Sequence, residues 1–159
     1  MNDRLNEFAM IGRRGALKTL GAGGVALVGA CLRPRGADAK PEDAVKLLQE
    51  LSGGASAKVG RIAVDLPQVA DDGAVVPISI SVDSPMTATD YVKAIHVVAE
   101  ENPNPEVVSF NLTPASGKAA VTTRMRLAKT QNVVVAAVMG DGSVYTAKKM
   151  VKVTIGGCG

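Results

Sequence analysis

The sequence predicts an all-β protein, an immunoglobulin-like antiparallel β-sandwich of about seven strands with a short N-terminal helix. Valine is abundant beyond residue 40, where twenty copies occur, and β-branched residues favour strands. Aromatic residues make up only 3% of the chain, so valine has to fill the core. Short apolar runs are separated at regular intervals by Gly, Pro, Asn and Asp, which is typical of a sandwich.

We interpret residues 1–39 as an export leader that lies outside the fold. Arg13 and Arg14 precede a Gly- and Ala-rich apolar stretch at residues 20–32, and an Ala-Asp-Ala cleavage signature follows at residues 37–39. This order is typical of a twin-arginine signal. We therefore predict that the leader is removed and that the protein works in the periplasm, without membrane contact after cleavage.

Two alternatives for the leader are left open. An uncleaved membrane anchor is disfavoured, because the apolar stretch is shorter than the ~20 residues that a span needs and is rich in glycine. Lipid attachment at Cys31, which follows Val-Gly-Ala, is a loose match to a lipid-attachment site. If the leader is cut before Lys40 instead, Cys31 leaves with it and Cys158 is the one cysteine of the mature chain.

Length and charge limit the remaining chain to one domain without a nucleic-acid-binding surface. The net charge of +3 comes from the leader, since twelve basic and twelve acidic residues remain beyond residue 39. A nucleic-acid-binding protein shows a basic patch, and none stands out here. We predict a sandwich domain over residues 40–155 and a flexible C-terminal arm over residues 156–159.

The short helix is predicted directly after the leader. Pro41 is suited to the first turn, and Glu42 and Asp43 lie near the positive end of the helix dipole. Gly53 and Gly54 are suited to end the helix. The apolar residues of this segment fall on one face, so we expect the helix to pack against the domain.

Seven strand signals follow, with turn residues between them. The Asp-Gly pair at residues 141–142 separates the last two and is a strong hairpin signal. The predicted strands cover residues 58–66, 74–82, 91–99, 106–112, 119–127, 132–139 and 143–154.

Two of these strands differ in their patterning. Residues 119–127 alternate between apolar and polar residues, which predicts one buried face and one solvated face. Residues 132–139 are apolar on both faces. The outer face of a sandwich strand normally meets water, so we expect a cover for it, from a partner chain or from the N-terminal helix.

The sequence offers few residues for catalysis or metal binding. His96 is the one histidine of the chain, and its position in the middle of an apolar strand favours a half-buried structural role. A blue-copper site needs two histidines, and zinc lacks ligands as well. We therefore predict no enzyme activity, no catalytic residue, no metal and no cofactor.

The C-terminus holds the most informative residue. Cys158 stands between Gly157 and Gly159, close to the chain end. Glycine is the most permissive backbone unit, and chain ends are disordered unless they are tied down. Gly156, Gly157 and Gly159 are therefore predicted to form an arm that reaches roughly 10 Å beyond Ile155. No Lys, Arg or His flanks the thiol to activate it, which suits a passive handle.

The chain resembles the SoxY family, the sulfur carriers of bacterial thiosulfate oxidation. The resemblance lies in the tail at residues 151–159 and in two supporting segments at residues 101–105 and 123–128. The family tail ends in Gly-Gly-Cys-Gly-Gly, and this chain has one terminal glycine fewer.

The resemblance implies a carrier that is not itself an enzyme. Cys158 would hold thiosulfate-derived sulfur as a thiosulfonate or persulfide-type adduct. A haem c-type enzyme would load it, a thiosulfohydrolase would release sulfate, and a sulfur dehydrogenase would oxidise the remaining sulfur. A SoxZ-like sandwich protein would be the heterodimer partner. A periplasmic immunoglobulin-like binding module or a lipid-anchored interaction module, without covalent chemistry, is the alternative.

Overall fold

The computed structural model describes residues 40–157 of the chain. The predicted leader, including Cys31, lies outside the described residues, and so do Cys158 and Gly159. The predicted domain boundaries, export route and periplasmic location therefore stay predictions.

One helix precedes the sheets, as the sequence predicts. Helix α1 spans Pro41–Leu51, with proline in its first turn and two acidic residues beside it. Gly53 and Gly54 follow with φ of 71° and 73°, in the left-handed region that glycine adopts without strain. Ala44 faces inward and is 2% exposed, so the helix packs by one face.

Nine strands form two sheets, which confirms the predicted all-β sandwich. One sheet has the order β2-β4-β7, and the other has the order β1-β9-β8-β5-β6, with β3 also paired to β9. A single 3₁₀ turn, Pro114–Ser116, lies between β6 and β7. The strands are β1 Ala57–Val59, β2 Ile62–Asp65, β3 Val69–Asp72, β4 Val76–Val82, β5 Val92–Ala99, β6 Glu106–Asn111, β7 Ala120–Met125, β8 Gln131–Met139 and β9 Val144–Ile155.

The strand count exceeds the prediction because the first predicted strand is broken. Gly60 and Arg61 have φ of 127° and 58°, and here the chain leaves the sheet of β9 and enters the sheet of β4. The Arg61 side chain holds this crossing by donating to the Asp83 carbonyl at 2.8 Å and to the Asp90 carboxylate at 2.9 Å. Side-chain hydrogen bonds of this kind are invisible to a hydrophobicity pattern.

The second unpredicted strand is β3, which occupies a segment that we assigned to a turn. It pairs in parallel with the end of β9, where Val69 lies opposite Lys152 and Asp72 opposite Ile155. Strand β1 also pairs in parallel with β9. The sandwich is therefore antiparallel except along one edge of β9, where β1 and β3 lie in succession.

The core lies between the two sheets and is built from branched aliphatic side chains. Ile78, Ile95, Val97, Leu127 and Val135 are all at most 1% exposed. Burying such side chains contributes roughly 1.5–3 kcal/mol each. The predicted hairpin between β8 and β9 is present, with Gly142 at φ 84°.

The outer face of β8 is covered in part by helix α1. Ala136 of β8 and Val98 of β5 lie on this face and are 0% and 1% exposed. Helix α1 contacts β5, and a cleft of about 530 Å³ lies between the helix and this face. Of the two covers left open by the sequence, the helix is therefore present. The partner chain stays a prediction.

Candidate functional site

The described chain ends in a pair of glycines that follow β9. Gly157 is buried, and its amide donates to the Leu127 carbonyl at 3.0 Å. The residue before this pair is held as well, because the Gly73 amide donates to the Ile155 carbonyl at 2.8 Å. The Leu127 amide in turn donates to the Gly73 carbonyl at 2.8 Å. We call Gly73, Ala74, Leu127 and Ala128 the tail dock.

The tail dock leaves no room for a side chain on the glycines. A Cβ atom at position 156 would lie 2.1 Å from the Ala128 carbonyl oxygen, and one at position 157 would lie 2.7 Å from the Gly73 carbonyl oxygen. The dock itself depends on a glycine, because a Cβ atom at Gly73 would lie 2.2 Å from the Leu127 carbonyl oxygen. All three clashes are with backbone atoms, which cannot turn away as a side chain can.

The docked glycines bear on the flexible arm that the sequence predicts over residues 156–159, and that arm stays a prediction. We expected the arm to start at Gly156, on the ground that glycine permits motion. Gly157 is instead buried and hydrogen-bonded, so these glycines serve close backbone packing. Cys158 and Gly159 lie beyond the described residues, and their predicted roles as sulfur attachment point and arm residue stay predictions.

A buried amide network holds the loop that supplies the tail dock. Asn102 is 5% exposed and Gln131 is 3% exposed. Asn102 donates through Nδ2 to the Arg126 carbonyl at 2.8 Å, and its Oδ1 accepts from the Ala128 amide at 2.9 Å. Gln131 Nε2 donates to the same Oδ1 at 2.8 Å. The carbonyl of Leu127 is thus fixed between two residues that Asn102 binds.

The network joins the two segments that supported the family resemblance. Asn102 belongs to residues 101–105, and its backbone partners Arg126 and Ala128 belong to residues 123–128. Sequence reasoning missed Gly73 and Gln131. The Asp-Asp-Gly sequence around Gly73 carried only a turn signal, and nothing in the sequence marked Gln131.

A cleft of about 500 Å³ adjoins the tail dock at Ala74. Arg124 is an exposed residue near the end of β7. Arg126 is also exposed and directly follows the strand. We call this the arginine cleft. Its lining combines apolar with polar and charged residues and includes Ala74, Val75, Asn102, Asn104, Glu106, Val107, Arg124, Met125 and Arg126.

His96 lies on the outer face of the other sheet, away from the tail dock. Its Nδ1 is 2.8 Å from the Ser109 hydroxyl, which donates to the Glu106 carboxylate at 2.9 Å. Since the hydroxyl has one proton and gives it to Glu106, Nδ1 of His96 is the donor to Ser109. Burial lowers the pKa of His96 from 6.5, and the charge of Glu106 opposes this shift. This chain of hydrogen bonds satisfies a buried histidine.

Metal-ligand clusters and membrane-spanning helices are two other features with functional meaning. Between residues 40 and 157, no three His, Cys, Asp or Glu side chains come together as metal ligands would. In the same part of the chain, α1 is the one α-helix and it is too short to cross a membrane.

Comparison with known proteins identifies the family. The sequence model described as Sulfur oxidation protein SoxY matches residues 48–158. The solved structure of the sulfur carrier protein SoxY from Chlorobium limicola f thiosulfatophilum is 32% identical, with a TM-score of 0.59, and the match covers 70% of this chain and 96% of that one. No curated protein sequence matches the chain.

More distant structures share the fold alone. The superoxide reductase (neelaredoxin) from Ignicoccus hospitalis is 16% identical with a TM-score of 0.53, over 74% of this chain and 95% of that one. The match to the family sequence model, in contrast, is a match of sequence. It begins within α1 and extends through the tail dock to Cys158. On this match and the 32% identity to a solved member, the chain belongs to the SoxY family of sulfur oxidation proteins.

Proposed function

We propose that this protein is a sulfur carrier that holds thiosulfate-derived sulfur covalently on Cys158 and presents it to the enzymes of sulfur oxidation. The observation that supports it most is the family match, which extends to Cys158. The solved relative is a sulfur carrier protein by its description. Strand β9 and the tail dock bring the chain to the residue before this cysteine, at the edge of a rigid sandwich.

The proposed loading step joins two sulfur atoms. The Cys158 thiolate and thiosulfate form one S–S bond and give up two electrons, which a haem c-type enzyme accepts. The product is a cysteine S-thiosulfonate with one negative charge. Water then cleaves the bond between the outer sulfur and the sulfonate group in a thiosulfohydrolase. This step releases sulfate and two protons and leaves a persulfide on the carrier, which a sulfur dehydrogenase oxidises further.

In this proposal the carrier holds and positions the bound sulfur, and its partner enzymes catalyse the reactions. Nucleophilic catalysis needs a base held at hydrogen-bond distance from the nucleophile. The one histidine, His96, is engaged with Ser109. We therefore assign no catalytic residue and no cofactor to this chain. Membership of the SoxY family supports partners from the same oxidation system, among them a SoxZ-like sandwich protein as heterodimer partner.

The export route is part of the same proposal. The arginine pair and the cleavage signature within residues 1–39 support export by the twin-arginine pathway to the periplasm. Cleavage at residue 39 removes Cys31. The N-terminal residue of the protein isolated from the periplasm, determined by mass spectrometry, tests this step, and a lipid on Cys31 would contradict it.

Replacement of the thiol tests the carrier role. We expect Cys158→Ser to abolish thiosulfate-dependent oxygen uptake in a reconstituted system, because serine cannot form the S–S bond. Cys31→Ser is the matched control and should leave the uptake unchanged. The intact mass of the loaded wild-type protein should rise by the mass of one S₂O₃ unit. Peptide analysis should locate this increase on the C-terminal peptide. Full uptake with Cys158→Ser would refute the proposal.

A further inference from the structure

We propose that the arginine cleft is the resting site for the sulfonate end of the adduct on Cys158. This inference rests on the proposed carrier function. A thiosulfonate adduct ends in an –SO₃⁻ group with three acceptor oxygens. Arg124, Arg126 and Asn104 are among the residues that line the cleft, and their side chains carry guanidinium and amide donors. Planar guanidinium groups suit such an anion because they donate two parallel hydrogen bonds.

The cleft and the tail dock share structural elements. Ala74 lines the cleft, and its amide nitrogen lies 2.7 Å from the position of a Cβ atom built on Gly157. Arg126 immediately precedes Leu127, whose carbonyl accepts the Gly157 amide. Cys158 follows Gly157 directly in the sequence. The adduct therefore starts beside the cleft when the glycines are docked.

The charges of the cleft are not neutralised by ion pairs within the described chain. From residue 40 to residue 157, neither Arg124 nor Arg126 forms a salt bridge. Glu106 is the one acidic residue of the lining, and one of its oxygens already accepts the Ser109 hydroxyl. The lining residues thus carry an excess of one positive charge, which favours a singly charged anion. The Asp72 carboxylate, which accepts from the Ala74 amide at 2.7 Å, opposes this attraction at the edge of the cleft.

The local backbone keeps the two arginines beside the dock. Arg124 lies opposite Pro77 in the register of β4 with β7, so its position is fixed by the sheet. The carbonyl of Arg126 is fixed by Asn102 at 2.8 Å. The cleft beside helix α1 lacks these features, since its Lys148 is paired with Glu100 at 2.5 Å and none of its lining residues belongs to the tail dock.

Chemical loading gives a direct test in the full chain. A Cys31→Ser background leaves Cys158 as the single thiol. Tetrathionate loads it, because the thiolate attacks an inner sulfur, one S–S bond forms, another breaks, and thiosulfate leaves. We expect the guanidinium NMR signals of Arg124 and Arg126 to shift at stoichiometric loading. Free thiosulfate, added to Cys158→Ser protein at equal concentration, should leave them unchanged, since it lacks the tether.

A second experiment measures the rate at which thiosulfate is released from the adduct on Cys158. Glutathione thiolate attacks Sγ of Cys158, the bond from Sγ to the outer sulfur breaks, a mixed disulfide of glutathione with Cys158 forms, and thiosulfate leaves. We expect release from the double variant Arg124→Gln and Arg126→Gln to be roughly tenfold faster than from the parent, about the value of one charge-assisted hydrogen bond. The difference should shrink at high salt. Lys46→Gln with Lys149→Gln removes the same charge elsewhere and should match the parent.

The outcomes separate this inference from the carrier function. Unshifted arginine signals on the loaded protein, with equal release rates from all variants, would overturn the resting site and leave the carrier role standing. Signals that saturate equally with free thiosulfate would identify a general anion site and would also overturn it. A Cys158 that tetrathionate cannot load would contradict the carrier function itself.

Discussion

Replacing Gly157 by alanine tests whether the tail is held by close backbone packing. The new Cβ atom would lie 2.7 Å from three backbone atoms of Gly73 and Ala74. The simplest relief is for the tail to leave the tail dock, which breaks the hydrogen bond from residue 157 to Leu127. One such bond contributes about 0.5–1.5 kcal/mol. The free energy of unfolding should therefore fall by no more than about 1.5 kcal/mol.

The same free energy should be measurable locally in Gly157→Ala as faster hydrogen exchange. The amide of residue 157 should exchange with water roughly 2- to 13-fold faster, which is the same free energy expressed as a ratio. Exchange NMR measures this rate, and the carbonyl carbon shift of Leu127 reports the lost acceptor bond. Ile155→Ala is the control, since that side chain is 67% exposed and its truncation leaves the dock intact.

Two results would refute this reasoning. If Gly157→Ala lowered the free energy of unfolding by more than about 3 kcal/mol, the tail would be part of the cooperative core. If the exchange rate at residue 157 stayed unchanged, the dock would tolerate a side chain and the clash with Gly73 would not govern the tail.

Three further changes probe the residues around the site. Asn102→Ala should destabilise the fold by about 3 kcal/mol in denaturant unfolding, because the buried Gln131 amide and the Ala128 amide lose their acceptor; an effect below 1 kcal/mol would contradict the network. Gly73→Ala should release the tail and also weaken the pairing with Leu127, so its loss in unfolding free energy should exceed that of the change at position 157. For His96, the pKa is lowered by burial, so the unfolded chain binds more protons and stability should fall as the pH drops below about 6.5; His96→Gln should flatten this dependence in thermal unfolding between pH 7 and pH 5.

The fold was predictable from the sequence wherever the local pattern of apolar and polar side chains determines the structure. The alternation at residues 119–127 predicted a half-buried strand, and Met125 and Leu127 are buried in the structure. Helix α1 was marked by proline at its start and two glycines at its end. Strand β3 and the break at Arg61 were not predictable, because their pairing depends on β9, more than eighty residues later in the chain.

The site was predictable in its parts and not in its arrangement. Cys158 and its flanking glycines were evident from the sequence alone. That Gly157 docks against Gly73 was not, since the two are distant in sequence and no local pattern connects them. A glycine serves flexibility or close approach equally well. Only the distance to the facing backbone separates these two uses.

The tail dock sets a balance that suits a carrier. A free energy of 0.5–1.5 kcal/mol from one hydrogen bond leaves the glycine pair undocked for roughly 7–30% of the time. A partner enzyme that binds the undocked tail therefore loses only this small free energy, in addition to the about 1–2 kcal/mol of backbone ordering for each residue that it fixes. A longer extension of β9 would add further pairs like that of Asp72 with Ile155 and would raise the cost of release. If the chain is the proposed carrier, two glycines that fit one backbone groove hold the tail up to Gly157 between visits to enzymes, while a single weak hydrogen bond allows its release.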